Sequence, residues 1–83
     1  MLHARKDYQE RVQDLANKIP KDEPVFLLRA QDSAAPYAVG FWADMAESSG
    51  AAPNIVKAAR EQVEAMRAWQ EAHGNKIPDM PEE

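Results

Sequence analysis

Cysteine is absent from the 83 residues, which excludes disulfides, Cys-ligated zinc, iron–sulfur clusters and thiol nucleophiles. Glycine occurs only three times, too few for a phosphate-cradling loop of the usual kind. The two histidines, His3 and His73, stand one near each end, and each reads as a solvated helix-end residue rather than half of a metal site. No run of 18 apolar residues exists, and residues 1–6 contain no signal-peptide core, so the expectation is a soluble, cytoplasmic chain without a membrane partner. A net charge of -4 argues against a general nucleic-acid surface. Large apolar side chains are scarce as well. Of the 37 apolar residues 15 are alanine, and a chain this short buries only roughly 60–65% of its unfolded surface. A lone monomer would be marginal, and we expect a homo-oligomer.

The sequence carries no G-x-S-x-G, H-E-x-x-H, P-loop or G-x-G-x-x-G. We therefore expect no catalytic residues, no metal, no cofactor and no enzyme.

What is present is helical periodicity. Tyr8, Val12, Leu15, Ala16 and Ile19 share one helical face and predict a helix over residues 2–19,. Asp7 to Arg11 and Asp14 to Lys18 are acid-before-base pairs on its other face, and Pro20 stops it. The dense apolar run from Val25 to Gln31 fits a strand or a helix. As a strand it needs a partner, either a copy from another subunit or a groove. A helix over 34–48 follows, with Ser33 as cap and Pro36 in its first turn. Pro36, Val39, Trp42, Ala43 and Ala46 form one stripe and Tyr37, Phe41 and Met45 an adjacent one, so its apolar face is wide. Gly40 suggests close approach by a backbone or ring, and Gly50 a left-handed cap. Pro53 opens a last helix that runs to His73 before Gly74. Val56, Ala59, Val63, Met66 and Gln70 mark its inner face, with Ile55 and Trp69 at the edges. The expected fold is mainly α: three helices, a short extended or helical segment before the second, and an antiparallel hairpin of the last two. Residues 1–74 form one small domain and residues 75–83 an irregular tail, onto whose neighbours Ile77 and Met80 can dock.

Polar chemistry concentrates in Arg29-Ala30-Gln31-Asp32. Asp32 can cap the next helix while Arg29 pairs with an acid and covers apolar surface. Alternatively, Arg29 clamps a phosphate or carboxylate while Gln31 and Asp32 read hydroxyl or base edges. Arg29 is the sole Lys or Arg between Lys21 and Lys57. Tyr37, Phe41, Trp42 and Trp69 serve as core, as interface anchors or as a stacking platform. The candidate ligand-binding set is Arg29, Gln31, Asp32, Tyr37 and Trp42. Glu61 and Glu64, with Lys57 and Arg60, read as a solvated face. Residues 25–28 and the Trp42 face are expected near a subunit contact.

The block Pro24-Val25-Phe26-Leu27-Leu28-Arg29-Ala30-Gln31-Asp32, followed by Ala35-Pro36 and Trp42-Ala43, resembles a group of short proteins from tailed-phage and prophage genomes. The likeness runs from about Tyr8 to Trp69. It implies a phage accessory binding protein acting in the bacterial host cytoplasm. One such type resembles a sponge, an oligomer whose subunit seams sequester a small cyclic nucleotide signal and so antagonise host defence. The alternatives are an inhibitor or adaptor that grips a host protein through an apolar helix face, and a minor structural accessory of the virion.

Overall fold

The computed structural model describes residues 2–3, 5–9 and 13–79. The chain is mainly helical and divides into two compact units. One comprises the described residues up to Leu28 together with Asp79, and the other spans residues 29–78. The expected positions Arg11, Val12 and Met80 lie outside the described residues.

In the first unit, β1 (Leu2–His3) pairs in parallel with β2 (Pro24–Val25), Leu2 opposite Pro24 and His3 opposite Val25. A single helical turn, α1 (Lys6–Gln9), follows β1. The long first helix expected over 2–19 is therefore not formed. Asp14 accepts a hydrogen bond from the Ile19 backbone N–H at 2.6 Å, and the Asn17 N–H bonds back to the Asp14 carbonyl. Asn17 itself sits at φ 53, in the left-handed region. These short-range bonds compete with a helix, and Ile19, preceding Pro20, is steered away from helical geometry. Asp14 thus serves this turn rather than Lys18. Asp7 takes a two-point ion pair from Arg5 at 2.7 and 3.1 Å, and that guanidinium lies 4.1 Å from the centre of the Tyr8 ring. Tyr8 is buried and Leu15 exposed, so the predicted stripe holds at one of these two positions. Of the run from Val25 to Gln31 only Val25 lies in a strand, β2, which pairs with β1 of the same chain; residues 26–29 are neither strand nor helix, and residues 30–31 turn.

The second unit is a helical hairpin. Helix α2 (Ala35–Ser48) and helix α3 (Pro53–His73) end where their punctuation demands. Gly50 at φ 85 lets the Ala51 N–H reach the Ala46 carbonyl and the Gly50 N–H the Glu47 carbonyl, a Schellman closure,. Pro53 opens α3, and Gly74 at φ 84 closes it with a bond to the Gln70 carbonyl,. Asp44 lies level with Arg60 and Tyr37 with Arg67, so the helices run antiparallel. Their seam joins Ala35, Pro36 and Ala43 of α2 to Val56, Val63 and Met66 of α3, all buried.

Two local expectations need correction. The N-cap of α2 is Ala34 and Ser33 makes no capping bond; Asp32 does the work, its Oδ1 accepting from the Ala34 N–H at 2.8 Å. Gly40 is not closely approached, because a Cβ built there meets only Val63 Cγ2, at 4.0 Å. Gly40→Ala should therefore raise stability by about 0.5–1 kcal/mol through helix propensity and unfolded-state entropy. Urea denaturation checks this; a loss of stability would mean that some group outside the described chain needs the space.

Candidate functional site

Helix α2 is apolar around almost its whole circumference, and the seam can cover only one side. At 100° per residue the buried Ala35, Pro36 and Ala43 define the inner side. Phe41 and Met45 fall opposite, flanked by Tyr37 and Trp42. Tyr37 is 70% exposed, Phe41 67%, Met45 51% and Trp42 50%. A core role for these rings is thus overturned within the chain: the small residues of α2 point in and the large ones out.

Both acids of α2 are drawn to one flank. Arg60 of α3 donates to Asp44 at 3.0 Å and lies 3.5 Å from Glu47. The Asp44 bond raises the Arg60 pKa above its already high ordinary value, so the guanidinium stays charged throughout the physiological range. On the same flank the Arg67 guanidinium stands 5.5 Å from the centre of the Tyr37 ring, within cation–π range. The helical repeat turns Trp42, Ile55 and Trp69 to the other flank. The outer face of Phe41, Trp42 and Met45 therefore carries no charge.

The Arg29–Asp32 segment forms the turn into α2. The Asp32 N–H bonds to the Arg29 carbonyl at 3.0 Å, and the Ala35 N–H to the Asp32 carbonyl at 3.0 Å. Lys76 donates to the Gln31 carbonyl at 2.8 Å and accepts from the Ser33 N–H at 2.9 Å, so the chain after Gly74 returns to this turn. The Gln70 amide secures the same turn from α3, donating to the Ala30 carbonyl at 2.9 Å and the Asp32 carbonyl at 3.1 Å. The periodicity placed Gln70 on the inner face without a task for it. A polar amide on a buried stripe needs hydrogen-bond partners, and that was the available signal.

The candidate set is spread over this scaffold. Gln31 and Asp32 are half-buried in the turn, and Arg29 is exposed at its start. Gln31 shares with Trp69 and His73 a cavity of about 170 Å³, below the roughly 300–1,000 Å³ of small-molecule sites. Trp69 and His73 stack with ring centres 4.4 Å apart. Tyr37 and Trp42, five residues apart, stand about 140° apart around α2, so a site using both rings must take them from different copies. Among the described residues no group of three His, Cys, Asp or Glu side chains could hold a metal ion, and no helix is long and apolar enough to cross a membrane. Comparison with protein-family models, curated proteins and solved structures finds no match to the chain.

Proposed function

We propose that the protein is a small protein-docking module, an inhibitor or adaptor that grips a partner through the outer face of α2. The observation carrying this reading is the uncharged face of Phe41, Trp42 and Met45, with Tyr37 at its edge beside Arg67, left exposed on a hairpin of only two helices. With roughly 200 Å² for each side chain, the open area is on the order of 450 Å². That equals the largest patch of much bigger monomers, where such patches commonly mark contact sites. Aromatic and Met residues are also the types enriched at interface centres. A nucleotide seam would call instead for an enclosed polar pocket, and the open apolar face favours the docking reading. On this reading, in the phage setting expected from the sequence, the partner is a bacterial host protein.

A photo-crosslinking residue at position 41 or 45 tests the reading in cells, with position 68 on the exposed side of α3 as control. The expected result is one discrete protein adduct from positions 41 and 45 and none from 68. The purified partner should then lose at least about 100-fold in affinity for Phe41→Asp/Met45→Asp, roughly 2.7 kcal/mol, while the variant keeps its helical spectrum. Equal labelling from all three positions, or an adduct to a second copy of the chain alone, would overturn it.

A further inference from the structure

A second feature lies at the closed end of the hairpin, away from the outer face of α2. Glu47, Ala51, Pro53, Val56, Lys57, Arg60, Glu61 and Glu64 enclose a groove of about 490 Å³, a volume in the range of ligand sites. Its floor is apolar: Val56 is buried, and Ala51 and Pro53 come from the turn and the first residue of α3. Its rim is charged but unevenly so. Arg60 is committed to Asp44 and Glu47, and Lys57 lies 3.7 Å from Glu61. Glu64 has no ion-pair partner among the described residues. Three carboxylates thus line the groove against two cations; Glu47 and Glu61 are each paired with one of them, which leaves the Glu64 charge uncompensated.

We propose that this groove receives a cationic, apolar-flanked segment of a partner protein: a Lys or Arg beside an aliphatic residue. The aliphatic side chain packs on Ala51, Pro53 and Val56, and the cation comes to rest on Glu64, the carboxylate that Lys57 and Arg60 leave unpaired. The charge imbalance selects a cation over an anion. The open walls select a protein segment over a free amine. Lys57 and Glu61 are 79% and 68% exposed along their side chains, whereas a small-molecule site encloses most of its ligand. The proposal does not rest on the docking role of α2, and either can fail alone.

Titration of the full chain, isotope-labelled for NMR, with the capped tripeptide Leu-Lys-Leu tests it. Saturable amide shifts are expected at residues 51, 56, 57, 60, 61 and 64, with a midpoint near ~1 mM and no movement at 41 or 45. The same tripeptide with acetylated lysine should bind about fivefold more weakly, as should the Lys form to Glu64→Gln, and added salt should weaken the wild-type interaction. Glu64 is exposed, and its substitution leaves the fold intact. The proposal is overturned if the acetylated or a Leu-Glu-Leu peptide binds as well, if butylamine alone binds as tightly as the tripeptide, or if no shifts occur.

Discussion

Ala43→Asp is expected to unfold the hairpin, whereas Ala38→Asp on the same helix leaves it folded. Ala43 is fully buried in the seam with α3 and Ala38 is exposed. A carboxylate at position 43 meets no donor that the seam can spare, and an uncompensated buried charge costs several kcal/mol. A chain of this length has a total stability of roughly 4–12 kcal/mol; a core this thin belongs at the low end, where a loss of about 4 kcal/mol leaves little or none. At position 38 the carboxylate stays in water, and the cost is about 0.5–1 kcal/mol of helix propensity. Far-UV circular dichroism with urea titration measures both. Equal destabilisation by the two substitutions would mean that the seam is not where Ala35, Ala43 and Val63 place it.

The second large effect is expected at Gln70, the link between α3 and the turn into α2. In Gln70→Leu the Ala30 carbonyl loses the Gln70 donor and the Asp32 carbonyl keeps only the Ala35 N–H, a cost of about 1–3 kcal/mol that does not depend on pH. Gln70→Glu goes further at neutral pH. Its carboxylate would face two carbonyl oxygens at the distances where the amide now donates, 2.9 and 3.1 Å. Protonated, the same group can donate to one of them, so its folded-state pKa lies above the ordinary glutamate value. A pKa raised by folding means that the protonated form is the better tolerated one. The penalty is therefore smallest below the unfolded pKa of about 4.3 and grows as pH rises through the folded pKa. Hydrogen exchange locates the damage: the Ser33 and Lys76 amides, which join the turn to the chain after Gly74, should exchange faster in both variants. Unchanged protection there would show that the turn holds without Gln70.

The hairpin was legible because its signals are local. Pro53 and Gly74 bound α3, Gly50 turns the chain, and Val56, Val63 and Met66 recur at the helical period. Each acts through backbone geometry or side-chain spacing within a few residues. The same reasoning extended the first helix too far. The stripe from Tyr8 to Ile19 is narrow, helix propensity by itself is weak, and the Asp14–Ile19 turn costs less than continuing. The hydrogen bonds of Gln70, which join residues 38 and 40 positions apart, left no local trace beyond an amide on an apolar stripe.

The positions of α2 and α3, the turn between them and the paucity of large core residues were thus determined by the sequence itself. Which side of α2 is buried was not. The helix presents apolar groups in almost every direction, so its own pattern favours no side, and Trp42 reads as naturally inward as Ala43. Tertiary packing made the choice. Ala35 and Ala43, both fully buried, pack the seam against α3 with little bulk, and tight packing gains the most contact per residue from a thin core. Tyr37, Phe41, Trp42 and Met45 were left outside because their bulk would hold the two backbones apart.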